Sequence, residues 1–106
     1  MRPIHAARLD KTRPVVILTR EAVRPYLANV TVVPVTTTRK GLATEVPVGP
    51  ANGLDHDSVV SCDNIQTIPA DRLGRLLGFL FDRQERALAA AIQAAFDLEP
   101  APGHFQ

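Results

Sequence analysis

The chain has no tryptophan and a single cysteine, and these two shortages already exclude several kinds of protein. Cys62 has no partner for an internal disulfide, which rules out a disulfide scaffold and suits a reducing compartment. Its five aromatic residues (Tyr26, Phe79, Phe81, Phe96 and Phe105) mostly read as core, leaving few rings on which unpaired bases would stack. Apolar runs are short throughout. Even the alanine-rich stretch 87–95 falls well below the roughly 18 residues a bilayer span needs. The first residues, Met1-Arg2-Pro3-Ile4-His5, lack the apolar region of a signal peptide, so a cytoplasmic location is expected. His5, His56 and His104 have no metal-ligand spacing, and neither a metal nor another cofactor is expected.

Charge of one sign is missing too, since the net value is only +1. Its distribution is uneven. Residues 1–40 carry eight Lys/Arg against Asp10 and Glu21, whereas residues 41–106 carry four Arg against nine acids. A basic first part is a weak electrostatic footprint of a polyanionic partner, nucleic acid or acidic peptide alike. At 106 residues and 45% apolar composition, the chain is expected to form one domain over residues 1–106 with a modest core.

Proline and glycine punctuate what is there into short segments. Residues 4–9 read as a first strand and Asp10-Lys11-Thr12 as a tight connection. Pro14 opens the second strand, where a missing N–H is tolerated. Val15-Val16-Ile17-Leu18 has no polar alternation, so both of its faces are expected to be covered. Thr19-Arg20-Glu21 starts a helical turn that Pro25 ends. Asn29–Thr36, rich in Val and Thr, is the clearest strand, and Pro34 within it argues for an edge position or a bulge. A polar loop at 37–41, a strand at 44–48 and a turn at 49–53 follow. Short strands at 58–62 and 65–68 flank an Asp63-Asn64 turn, Pro69-Ala70-Asp71 begins a helical turn, and 76–81 is the last strand. Asp82 is expected to cap the one long helix, with Glu85 three positions on completing a capping box. Leu88, Ile92, Ala95 and Phe96 fall on one face of it. Residues 99–106 show no pattern and read as a mobile tail. Many short strands and one terminal helix predict a mainly β fold with α, curled into a small barrel.

Three segments carry a more specific signal: Arg13-Pro14-Val15-Val16-Ile17-Leu18, Val33-Pro34-Val35-Thr36-Thr37, and Ser58-Val59-Val60-Ser61-Cys62-Asp63-Asn64-Ile65-Gln66-Thr67-Ile68. In order and spacing they resemble the MazF/PemK family of toxin endoribonucleases, and with the terminal helix the similarity covers nearly the whole chain. The resemblance implies an SH3-like small β-barrel of the MazF, CcdB and Kid kind, a homodimer, and metal-independent cleavage of single-stranded RNA at short sequences. It also implies a cognate antitoxin whose acidic C-terminal segment covers the substrate groove. The catalytic positions it implies are Arg13, Thr36 and Asp63, with the Arg and Thr flanking the scissile phosphate and the Asp acting as base.

The residue chemistry suits those roles. RNA carries its own nucleophile in the 2′-hydroxyl, so the protein has only to move protons and stabilise the phosphorane. Arg13 offers a planar fork of donors that stays charged at any working pH, and the proline after it restricts its backbone to extended geometry. Thr36 donates a hydroxyl hydrogen bond, and Asp63 accepts a proton. Thr37, Arg39, Asn64 and Gln66 are the polar loop candidates for contacts to RNA. Each residue alone has a plainer reading: a solvated arginine, a β-favouring threonine, an ordinary Asp-Asn turn. Their combination is what points to a site. Cys62, with no His near it in sequence, reads as a small buried hydrophobe rather than a nucleophile.

Departures from the family pattern shape further expectations. Only Lys11-Thr12 separates Leu9-Asp10 from Arg13, where many members carry a longer loop, sometimes with an assisting His. Ser61 stands where some have Arg, and Asn64 where relatives often have Gln. The leaving-group role would then fall to Arg13 electrostatically, or to His5 reaching in from the first strand. A short first loop also predicts a groove open enough for structured RNA. The alternative on the same barrel is a non-catalytic toxin that poisons a protein target such as a topoisomerase through residues near its C-terminus, or a degenerate toxin that only binds its antitoxin. The segment 97–106 carries no obvious insertion motif.

Overall fold

A computed structural model describes residues 1–101, so most of the expected mobile tail, residues 102–106, lies outside the described residues. Seven antiparallel strands precede one helix: β1 (Pro3–Arg8), β2 (Thr12–Ile17), β3 (Asn29–Thr36), β4 (Glu45–Val48), β5 (Ser58–Ser61), β6 (Gln66–Pro69), β7 (Leu73–Phe79) and α1 (Asp82–Ala95). Short 3-10 turns fill several connections, among them Glu21–Tyr26 and Cys62–Asn64. No described helix is long and apolar enough to cross a membrane.

The sheet runs β4-β5-β3-β2-β1-β7, with β6 added to β3. Strand β3 is therefore central rather than an edge. One side pairs with β2, from Val15 opposite Pro34 to Ile17 opposite Val32. The other side is shared: Asn29 to Val32 pair with β6, and Val35 and Thr36 pair with β5. Pro34 lies in the handover between the two, where no ladder partner misses its N–H. That interruption takes the place of the expected edge or bulge.

The sheet curls, and apolar side chains accumulate on both sides of it. Val16 and Val33 join Ile4, Val35, Val46, Val60, Cys62, Leu80 and Leu88 in the larger core. Val15 and Ile17 point the other way, into a second cluster with Ala7, Val30, Val32 and Ile68. Both faces of the Val15–Ile17 run are thus covered, as its lack of alternation requires. Each Val, Ile or Leu among them stabilises the fold by about 1.5–3 kcal/mol relative to exposure.

The helix starts at Asp82 but is not capped by it. Phe81 occupies the cap position, and its N–H donates to Oε1 of Gln84 at 2.9 Å, so Gln84 rather than Glu85 closes the box. Gln84 is buried and reaches further: Asn52 Nδ2 donates to its Oε1 (2.7 Å), and its own Nε2 donates to Asn52 Oδ1 (3.1 Å) and Pro47 O (3.2 Å). The packed face holds Leu88, Ala91, Ile92 and Ala95. Phe96 is not part of it and is 56% exposed, because the helix ends at Ala95 and the register that would bring Phe96 round stops there. Arg2 secures the chain start, with Nε on Glu85 at 2.7 Å and Nη1 on the carbonyls of Ile17 and Leu18.

Candidate functional site

Antiparallel pairing places the start of β2 and the end of β3 at one end of the sheet. The chain leaves β5 at Ser61, turns through Cys62–Asn64, and re-enters as β6 opposite Val32. That turn forms over the ladder interruption at Pro34. The result is a groove of about 510 Å³ whose walls include Arg13, Thr36, Asp63, Asn64 and Gln66. Five of the residues singled out from sequence therefore meet in one place.

Arg13 is half-buried and already engaged. Its Nε donates to Asp10 Oδ1 at 2.9 Å and its Nη2 to Asp10 Oδ2 at 3.0 Å, a fork-on-carboxylate pair across the short β1–β2 connection. The hydrogen bond from Arg13 is the main reason the Asp10 carboxyl is held well below the usual carboxylate range, with the backbone N–H of Lys11 adding to it. The same bond pushes Arg13 further up. Nη1 takes no part in this pairing and is available to a ligand.

Thr36 Oγ1 accepts the backbone N–H of Thr38 at 3.2 Å, which leaves its hydroxyl hydrogen free to donate. Asp63 Oδ2 accepts the Thr44 hydroxyl at 2.6 Å, and Oδ1 takes none of the described hydrogen bonds. Asn64 Nδ2 donates to Ser61 Oγ at 2.8 Å. The Glu45 carboxylate, which also lines the groove, accepts the backbone N–H groups of Lys40, Gly41 and Leu42.

Thr37 and Arg39 do not line this groove. Thr37 is exposed, and Arg39 borders a separate depression of about 290 Å³ with Pro47, Asn52, Asp57 and Phe81. Thr38 and Lys40 line the groove in their place. In extended chain, residues two apart share a side. That period stops at Thr36, where β3 ends and a bend begins, so nothing in the sequence chooses Thr38 and Lys40 over Thr37 and Arg39. Asp10 and Glu45 were also missed, and nothing in their local pattern marks them.

His5 does not reach the groove. Its Nδ1 sits 3.0 Å from the carbonyl of Gly74 on β7, and its ring is committed to that strand. The leaving-group role for His5 falls away with it. Cys62 has no exposed surface and belongs to the larger core. Burial first, and the nearby Asp63 charge second, push its thiol up to about 11, the wrong direction for a nucleophile. Among the described residues, no group of three or more His, Cys, Asp or Glu is placed to hold a metal ion.

The arrangement offers a fixed cation with a free N–H, a hydroxyl donor and a carboxylate with a free oxygen around one opening. Comparison with known proteins gives the chain a family. The endoribonuclease MazF3 of Mycobacterium tuberculosis is 68% identical over 99 residues, spanning 93% of this chain and 96% of its own. The structure of the M. tuberculosis toxin MazF-mt6 superposes with a TM-score of 0.90 at 67% identity, covering 92% of this chain and 99% of that one. A mycobacterial endoribonuclease solved in complex with its cognate antitoxin matches at a TM-score of 0.81 and 31% identity, covering 94% and 95%. The sequence profile of PemK-like, MazF-like toxins of type II toxin-antitoxin systems matches residues 2–96. The chain belongs to that toxin family.

Proposed function

We propose that this protein is a sequence-specific endoribonuclease toxin that cleaves single-stranded RNA without a metal. The observation that carries the reading is the meeting of Arg13, Thr36 and Asp63 around one groove. In this mechanism the guanidinium of Arg13 and the hydroxyl of Thr36 bind non-bridging oxygens of the scissile phosphate. Asp63 Oδ1 takes the proton of the 2′-hydroxyl, whose oxygen attacks phosphorus. The bond from phosphorus to the 5′-oxygen breaks, and that oxygen, its charge offset by Arg13, takes a proton from solvent water. The products are a 2′,3′-cyclic phosphate and a 5′-hydroxyl end. Arg13 is the group that offsets the extra charge of the phosphorane. Asn64 and Gln66 on the groove wall, with Thr38 and Lys40, contact the RNA on either side.

The toxin acts in the cytoplasm as a homodimer. It is held inactive by a cognate antitoxin with an acidic, partly disordered segment that orders over the groove. The relative solved with its antitoxin supports that partnership. The rival reading, a toxin that poisons a protein target through its C-terminus, rests on residues 97–106, of which 102–106 lie outside the described residues.

The test is an RNA cleavage assay in EDTA, with cut ends mapped by primer extension, on the parent and on Arg13→Ala. Discrete cuts with 5′-hydroxyl ends from the parent, reduced about 10²–10³-fold by Arg13→Ala, are expected. A folded Arg13→Ala protein that cuts at the parent rate would overturn the assignment. A folded parent that cuts none of several long RNAs would overturn the nuclease reading itself.

A further inference from the structure

Glu45 occupies an unusual position for an acidic residue in a groove meant for RNA. It is the first residue of β4, where pairing with Ser61 on β5 fixes its backbone, and its N–H donates to Leu42 O at 3.1 Å. Its Oε1 accepts N–H groups from Lys40 (3.2 Å), Gly41 (2.9 Å) and Leu42 (3.2 Å), and its Oε2 accepts from Lys40 (3.1 Å). Gly41 has φ of +72°, the left-handed turn that lets three successive N–H groups converge. Such a concave set of N–H groups binds anions. Here it is filled by the chain's own carboxylate, so it does not compete for the substrate's phosphates. The segment it holds is the one that carries Lys40 and Thr38 to the groove wall.

Resting on the nuclease reading above, we propose that Glu45 is a positioning residue: its carboxylate fastens the backbone of residues 40–42 so that Lys40 meets a phosphate of the bound RNA. Without that clasp, a loop of polar residues joined to β4 by Ala43 and Thr44 samples many conformations, and ordering it is charged against substrate binding. Arg13 and Thr36 stand on strands and are not moved. The loss therefore falls on KM rather than on kcat.

The experiment measures cleavage of a single-stranded RNA oligonucleotide, containing one mapped cut site, by the parent, Glu45→Gln, Lys40→Ala and the double variant, over a range of salt. Expected for Glu45→Gln is a KM raised about tenfold with kcat changed less than about threefold, as for loss of uniform binding. The slope of log KM against log salt becomes shallower by about 0.7, the value of one phosphate contact on a single strand. Lys40→Ala reproduces both effects, and the double variant is no worse than Lys40→Ala beyond about twofold, because one interaction is removed twice. A Glu45→Gln enzyme with parental KM, with parental salt slope, or with an effect that multiplies fully with that of Lys40→Ala overturns the inference and leaves the nuclease reading intact. A parent that does not cut overturns that reading, and this inference with it. Should Glu45→Gln fail to fold by thermal melt, Gly41→Ala keeps the carboxylate but strains the turn, with open space around the new methyl, and the same KM and slope readouts decide.

Discussion

Arg13 enters the groove already holding a carboxylate, and this fixes how it behaves with pH. Asp10 is ionised in the folded protein at lower pH than in the unfolded chain, where the value is about 3.9. The pair is therefore fully formed above that value and is lost only as pH falls below it. Between about pH 5 and 9 it does not titrate, and Asp10→Asn is expected to leave the shape of the pH–rate profile unchanged over that window. An acidic limb displaced by a unit or more in Asp10→Asn would show that Asp10 itself is the titrating group. Cys62 has the opposite sign. Its folded value of about 11 lies above the roughly 8.5 of an unfolded thiol, so the neutral form stabilises the fold below 8.5 and that contribution is lost as pH rises toward 11. The urea midpoint of the parent should drop more steeply over this range than that of Cys62→Ala. A thiol reagent at pH 8 should label the native protein far more slowly than the unfolded one, and equal rates would contradict the burial of Cys62.

At the scale of elements, a helix cap and a proline show why local pattern misleads. Asp82-Arg83-Gln84-Glu85 has the letters of a capping box, yet the box is closed one residue earlier. Gln84 is drawn inward by Asn52, and Asp82 is left in solvent. Replacing Gln84 by Leu strands the Phe81 N–H and the Asn52 amide, and should cost about 2–3 kcal/mol by chemical denaturation. Asp82→Ala should cost less than about 1 kcal/mol, the value of an acid at a helix start. Equal losses would restore Asp82 as the cap. Pro34 is the second case. Its missing N–H argued for an edge or a bulge, whereas the arrival of β5 and β6 on one side of β3 makes that strand a central one with an interrupted ladder.

Over the whole molecule, the excess of cations in residues 1–40 is offset at one point only among the described residues, where Arg2 pairs with Glu85; the Arg13–Asp10 and Arg24–Glu21 pairs lie within that part and leave its balance unchanged. Besides Arg13, Lys40 is the cation that lines the groove. The connection between β1 and β2 is only Leu9-Asp10-Lys11, so little chain is available to cover the groove. Cleavage of one target sequence presented in a hairpin loop and in a linear oligonucleotide should then proceed at comparable rates. Strict preference for linear RNA would reject an open groove.

The sequence by itself determined most of the strands, the single helix, the two-faced burial of the second strand and the family, although the last strand, expected at 76–81, runs Leu73–Phe79. The elements follow from side-chain period and from punctuation by proline and glycine, which act within a few residues of one another, and the family follows from three motifs in order. It also named Arg13, Thr36, Asp63, Asn64 and Gln66, which the tertiary structure brings to one groove. Only the tertiary structure decided which polar residues face that groove, that Asp10 and Glu45 hold its cation and its loop, and that the His5 ring on β1 bonds to β7. Those outcomes depend on which distant backbone groups arrive within hydrogen-bonding distance. A carboxylate three residues before an arginine, or five after a lysine, looks the same in sequence whether or not the chain turns to bring them together.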